Sequence, residues 1–340
     1  MSRLSRQTRY TCSRFRNGLN MTKNSFNVVG AVLVIAIAIG AVIASRARAQ
    51  NSPGWINQDN NWAASKATLQ AFGERFATSD EMFDALKKQA RGGTTLTWAQ
   101  MAQPAFDWSG IYSRSKLSLH YDMDLSPESG PDSARLTPAG QAIVNAKAEH
   151  LKKTGGEYDP LSDCRPPGTP RWFTEPFLKE YVVTPNQTWL MNEMVNDTRR
   201  VYTDGRAHTP DDDAYPSWNG DTIGFWDGDV LVAHTKYLMK GQYQRGVQPD
   251  YSDKTTVVER WHKVDPKTLQ ADVWVFDPVY LAKPWYTRQS WSKLGNDDTS
   301  LRIRYWDCRE NSNNNIVITK EGTSQFPGFT FVPKEANNAK

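Results

Sequence analysis

Cysteine and histidine are scarce in this 340-residue chain, at three and five. The histidines are scattered, with no H-x-x-x-H pair and no cysteine cluster beside them. His208 with Asp211 and Asp213 offers mixed nitrogen and oxygen ligands, but this acidic run lacks the alternating order and terminal Glu of a calcium loop, so a solvated acidic turn is the plainer reading and no metal is expected. A G-x-S-x-G elbow, a glycine-rich phosphate loop and a dinucleotide fingerprint in a β-α-β setting are all missing. Their absence argues against nucleotide chemistry, a bound cofactor and ordinary serine hydrolysis. No internal repeat is present.

Long apolar runs are missing too, apart from 28–44. It follows a basic segment containing Arg3, Arg6, Arg9, Arg14, Arg16 and Lys23 and precedes Ala47-Arg48-Ala49, an A-x-A cleavage site before Gln50. That order is the arrangement of a secretory signal, with Met21 as an alternative start of more ordinary signal length. The rival is an uncleaved anchor: a run of this length reaches about 25 Å as a helix, slightly short of a roughly 30 Å hydrocarbon core, and Arg46 and Arg48 suit an anchor's flank. Either way, residues 1–49 stay outside the fold, the rest lies outside the cytoplasm, periplasmic or secreted, and any membrane contact runs through an uncleaved 28–44 segment.

The chain's positive charge resides in that leader. It holds eight of the 41 basic residues and no acidic one, which leaves 33 against 37 acidic side chains, net −4. No basic patch remains to draw nucleic acid. Cys12 falls within the leader, leaving Cys164 and Cys308, which in an oxidising compartment are most simply one disulfide; two buried free thiols are the alternative. Neither has the His-rich setting that would make a catalytic thiol. Tryptophan, by contrast, is abundant: 13 residues, all after position 49. Each asks for a large buried area and a partner for its N–H, which suits either an interior holding a partly polar ligand or an ordinary all-β core.

Three regions follow: 1–49, a signal peptide or anchor; 50–106, a helical N-terminal region; and 107–340, a β-barrel domain. Apolar residues recur at helical spacing from Trp62 to Gln89, with Ser79-Asp80-Glu81 as a break and N-cap. Asp107 to Tyr112 opens a first strand. Thr137-Pro138 starts another helix, which stops at Gly155-Gly156. Five prolines around Cys164 make 159–176 an irregular, stapled loop. From Tyr181 the period changes to two, giving strands at 188–194, 199–203, 222–226, 230–237, 255–264, 269–276, 286–292 and 301–308, with a polar tail from Glu321. Short turns join most of them: Asp227-Gly228 carries the I′ hairpin signature and Asp265-Pro266-Lys267-Thr268 a type I turn. Hairpin following hairpin predicts a mainly β fold, an antiparallel meander closed as a lipocalin-like barrel rather than a sandwich, with N-terminal helices.

The densest stretch is 200–235, RVYTDGRAHTPDDDAYPSWNGDTIGFWDGDVLVAHT. Asp204-Gly205-Arg206-Ala207-His208, followed by Trp218 through Val232, then Glu259-Arg260 and Asp277-Pro278 through Pro284-Trp285, resembles a family of secreted bacterial proteins of undetermined role with DGRxH and WxGDxIGxWxGDxLVxxT motifs. The resemblance spans roughly 164–308 and implies no established activity. Where that family often has an acidic residue before the final Thr, this chain has His234.

The residues themselves suggest two catalytic constellations. In an extended segment Asp204, Arg206 and His208 share a face, so Asp204 can fix the His208 tautomer while Arg206 neutralises developing negative charge; a plain turn with Arg206 paired to the 211–213 acids is the alternative. On the meander, His234 lies with Val230 and Val232, and Glu259 with Val257 and Trp261. If both point inward, they form an acid–base pair among Trp walls; a core histidine and an outward salt-bridged Glu are the alternative. Trp218, Trp226, Trp261, Tyr280, Trp285 and Tyr286 are the candidate ligand-binding aromatics. Together these residues lead to the expectation of an exported enzyme with an aromatic-lined pocket, doing cofactor-independent acid–base chemistry of lyase or isomerase type on a hydrophobic or aromatic small molecule. A non-catalytic binding or carrier protein with the same pocket is the alternative.

Overall fold

The computed structural model describes residues 66–90, 95–115, 135–155, 159–244, 246–295, 302–308, 317–318 and 324–325. The signal or anchor at 1–49, the start of the first helical stretch, Gly156 and most of the tail lie outside the described residues. Four helices are described: α1 (Lys66–Gly73), α2 (Ser79–Gln89), α3 (Trp98–Met101) and α4 (Pro138–Thr154). The strands are β1 (Ile111–Arg114), β2 (Lys179–Val183), β3 (Gln187–Asn192), β4 (Thr198–Tyr202), β5 (Asp221–Asp227), β6 (Val230–Lys236), β7 (Gly241–Gln242), β8 (Asp250–Tyr251), β9 (Thr256–Asp265), β10 (Thr268–Phe276), β11 (Trp285–Lys293), β12 (Val317–Ile318) and β13 (Ser324–Gln325).

The period-two pattern does produce a closed barrel, in the order β1-β11-β10-β9-β6-β5-β4-β3-β2. β1 closes the ring by pairing antiparallel to both β11 and β2. Seven further neighbours pair in sequence order, and all but one are antiparallel. The exception follows from parity: nine strands cannot alternate in direction around a ring. The parallel contact is β4 with β5, registered through Tyr202 and Ile223. Parallel neighbours need a long connection to bring the chain back to the starting end, and residues 203–220 are that connection.

The turns obey local chemistry. Asp227 pairs with Val230, so Gly228 and Asp229 form the hairpin loop. Gly228 has φ 64 and Asp229 does not share the left-handed region, which is the pattern of a type II′ turn rather than the expected I′. Asp265 pairs with Thr268, and its side chain accepts from Lys267 N–H at 2.7 Å. Thr137 caps α4 through Gly140 N–H, Pro138 opens it, and Gly155 ends it at φ 67. In α2 the cap is Thr78, whose hydroxyl accepts from Glu81 N–H; Ser79 is the first helical residue instead. Met82, Phe83 and Leu86 are buried, Asp80 and Glu81 sit at the positive end, and Lys87 and Lys88 at the negative end. α1 packs outside β11, and α2 outside β6 and β9.

Two expectations about segments change. The last expected strand, 301–308, is an extended arm over its described residues 302–308: Asn196 brackets Trp306 through its Nδ2 and Oδ1 at 3.0 Å each, and Phe177 meets the Trp306 ring edge-on at 5.1 Å. The proline loop is more than a staple. Arg171–Phe173 forms a 3-10 turn that carries Trp172 and Phe173, both fully buried, into the barrel. There they meet Trp261, Trp291 and Tyr181, and Trp261 stacks on Trp291 at 5.1 Å. Inside lies the ion pair of Arg199 with Glu259, 2.5 Å and wholly buried; Glu259 also accepts from Trp261 Nε1 at 2.8 Å.

Cys164 and Cys308 form the expected disulfide across 144 positions. It is compatible with an oxidising compartment outside the cytoplasm. Among the described residues no helix is long and apolar enough to cross a membrane. Replacing both cysteines by Ser frees a long loop in the unfolded chain, and the chain-entropy view puts the loss at about 3–5 kcal/mol. Urea titration should show that loss with near-UV circular dichroism retained. An unchanged midpoint would mean that the Asn196–Trp306 contacts alone hold the arm.

Candidate functional site

The long β4–β5 connection lays His208 against the outside of the barrel. Asp221 opens β5 and His234 lies late on β6, on the outer face with Val230 and Val232 as the alternation requires. α2 then covers His234, with Phe83 stacked on its ring at 5.1 Å. A four-member chain of hydrogen bonds results. Asp221 Oδ2 contacts His208 Nδ1 at 3.1 Å, His208 Nε2 contacts His234 Nδ1 at 3.0 Å, and His234 Nε2 contacts Ser79 Oγ at 2.8 Å.

The direction of each bond follows from the donor inventory. Burial pushes the Asp221 carboxyl up, but hydrogen bonds from His208 and from the Thr209 N–H at 2.8 Å outweigh it and hold it below its ordinary value. An ionised carboxylate only accepts, so His208 Nδ1 carries a proton; a neutral His208 then accepts at Nε2 from His234 Nδ1–H, whereas a protonated one donates there to His234 Nδ1. In the neutral arrangement His234 Nε2 is left to accept from the Ser79 hydroxyl. Burial lowers His234 to about 3, with His208 and Lys236 adding to the effect and Asp221 opposing it. His234 is therefore neutral.

The chain runs between two cavities. Ser79 lines one of about 540 Å³, formed between the start of α2 and the β10–β11 connection, with Thr137, Lys254, Phe276, Leu281 and Pro284 among its walls. Asp221 lines another of about 440 Å³ with Tyr202, Arg200, Trp218, Asn219 and Asp197. Both have the volume of small-molecule sites. The larger is mostly apolar, and the smaller is divided about evenly between polar and apolar lining.

Of the five expected catalytic residues, His208 and His234 come together, but not in the expected way. Asp204 and Arg206 do not join them: the segment turns at Gly205, φ 86, and the two pair with each other at 2.6 Å in solvent, Arg206 lying over the Tyr202 ring at 3.9 Å. Glu259 faces the lumen and His234 faces outward, so the proposed pair is split by the sheet itself, as adjacent β6 and β9 positions on opposite faces must be. Asp211 receives the Tyr237 hydroxyl at 2.5 Å and Arg206 goes elsewhere.

The aromatics divide similarly. Trp218 lines the smaller cavity. Trp226 packs on Trp108 and Phe106, Trp261 on Trp291, and Trp285 on Tyr243, all as core. Tyr286 lies on the outer face, donating to Asp272 at 2.7 Å. Tyr280 is half-buried in the β10–β11 connection, and its carbonyl accepts from Thr137 N–H.

Sequence reasoning missed Ser79 and Asp221 as site residues. Asp221 stands in the motif, where it reads as turn chemistry; Ser79 lies 155 positions from His234 and reads as a cap. Lys179 was missed as well. It opens β2 on the lumenal side, over the Trp172 ring at 4.5 Å, and burial pulls its ammonium down to about 7 against the opposing pull of Glu175 and Asp197. Asp197 is raised, mainly by burial, with Asn219 opposing.

No protein-family model, curated protein or solved structure matches this chain.

Two pH responses follow. His234 is lowered in the fold, so between about 6.5 and 3 the unfolded chain holds a proton that the folded chain lacks, and stability falls as pH falls through that window. Imidazole NMR should show His234 neutral down to about pH 4.5; titration near 6.5 would overturn the assignment. Lys179 acts between about 7 and 10.4, where again only the unfolded chain is protonated, so stability rises with pH there. Lys179→Met should flatten that slope and raise the urea midpoint below about pH 7.

Proposed function

We propose that the protein is an exported, cofactor-independent acid–base enzyme, periplasmic or secreted, acting on a hydrophobic or aromatic small molecule held in the 540 Å³ cavity beside Ser79. The observation that supports this most is the hydrogen-bonded chain from Asp221 through His208 and His234 to Ser79. A buried histidine with a strongly lowered pKa is a poor terminal base, since it holds a proton reluctantly. In a relay it need not hold one. When Ser79 Oγ gives its proton to His234 Nε2, His234 passes its Nδ1 proton to His208, and the positive charge settles beside Asp221.

Ser79 is thus the group that meets the substrate, His234 and His208 move the proton, and Asp221 fixes the tautomers and balances the charge. The mostly apolar walls, with Phe276 as an aromatic face and Lys254 as a cation, suit an apolar body carrying one polar or anionic group. Reactions needing a proton to be removed and returned, eliminations and isomerisations, fit such a relay. The same apolar walls support a second reading, a carrier that holds the molecule unchanged.

Incubation in deuterated water with a panel of small aromatic and alicyclic carbonyl compounds separates the two. An enzyme should exchange an acidic C–H of its ligand, and His234→Phe or His208→Phe should slow the exchange at least 100-fold, within the span of general acid–base catalysis. Binding without exchange across the panel selects the carrier. No binding by any compound counts against both.

A further inference from the structure

The relay also places a hydroxyl, a base and an orienting acid in the order used for nucleophilic attack. We propose that Ser79 is an acyl-accepting nucleophile, and that the cavity takes esters with an apolar acyl group. This rests on the proton relay described above and goes beyond it by assigning a covalent step. Three observations carry it besides the 2.8 Å contact between Ser79 Oγ and His234 Nε2.

The first is access. Ser79 is buried within the fold yet lines the 540 Å³ cavity, a space large enough for a small ester. The second is charge stabilisation. Ser79 is the first residue of an eleven-residue helix, and the N–H groups of Ser79 and Asp80 precede the first intrahelical bond, since Glu81 N–H goes to Thr78 Oγ1 and Met82 N–H to the Thr78 carbonyl. The positive end of the helix dipole and Lys254 on the cavity wall both favour a developing oxyanion. The third is lining: Phe276, Leu281, Ala282 and Pro284 offer an apolar seat for the acyl group.

The step balances without any further reagent. Ser79 Oγ attacks the ester carbonyl carbon; its proton goes to His234 Nε2 while the His234 Nδ1 proton moves to His208 Nε2. The tetrahedral intermediate collapses, the carbon–oxygen bond to the alcohol breaks, and the alcohol leaves with the proton returned along the chain. Water then attacks the acyl-serine by the same path, releasing the carboxylic acid and restoring the hydroxyl. The G-x-S-x-G elbow is one way of presenting such a serine, and a helix N-terminus packed on a barrel wall is another.

The full-length protein is treated with p-nitrophenyl butyrate and p-nitrophenyl benzoate, release of p-nitrophenol is followed, and the acylated peptide is located by mass spectrometry. Ser79 is expected to carry the acyl group. His234→Phe should slow acylation at least 100-fold, and Asp221→Asn less severely. Ser79→Ala should abolish it with near-UV circular dichroism unchanged; should that variant unfold, Ser79→Cys gives the same answer through thioester formation at position 79. Acylation confined to lysines such as Lys254 or Lys283, or none at all, overturns the nucleophile. Imidazole NMR on the same sample separates the two failures. With the His208–His234 tautomers as derived, only the acyl step is lost; with free titration of His234, the relay reading falls with it.

Discussion

An odd number of strands in a closed ring imposes the constraint on which the rest of this structure depends. Antiparallel pairing cannot alternate nine times and return to its start, so one pair must be parallel, and here it is β4 with β5. That pair forces the chain to travel back between Tyr202 and Asp221 instead of turning in two residues. The information-dense stretch of the sequence is that return path. His208 lies on it, Trp218 lies on it, and Asp221 ends it, so the positions that assemble the hydrogen-bonded chain and the smaller cavity are a product of the closure problem.

Filling the ring imposes a second demand. A barrel of this size has a lumen wider than its own strands' side chains readily fill, and the chain meets it by sending Trp172 and Phe173 in from outside the sheet. Once they are seated, they pack with Tyr181, Trp261 and Trp291 into one buried cluster. The candidate chemistry lies on the outer wall, where α2 covers His234 and brings Ser79 down onto it. The buried Arg199–Glu259 pair belongs to the packed interior, where Trp261 and the face of Phe173 serve it.

Much of the barrel was legible because period two survives wherever one strand face meets the lumen and the other meets water or a helix. β2 was harder: its lumenal positions begin with Lys179, a charge where the pattern expects an apolar residue. The 301–308 segment misled in the opposite sense, since its alternation comes from Trp306 clasped by Asn196 and reflects no ladder. The site was legible only in its local half. Asp204, Arg206 and His208 look alike on an extended segment, and only the turn at Gly205 turns the first two away from the third. Nothing in spacing links Ser79 to His234, because that contact is set by how α2 lies across β6. Likewise the tryptophans that pack a lumen and those that line a pocket have the same composition and periodicity; what distinguishes them is a pair of residues hidden in a proline-rich loop.

The parallel junction has a mechanical side. β4 and β5 are registered at a single pair, whereas every other joint in the ring has at least two registered pairs and most have five or more. The wall is therefore least laced by backbone bonds along this line, and side chains must close what the ladder leaves open. His208 and Thr209, reaching from the return path to Asp221 and His234, are stitches across that seam. A group that changes the protonation of these histidines also loosens or tightens the stitching, which ties the proton state of the relay to the closure of the barrel wall.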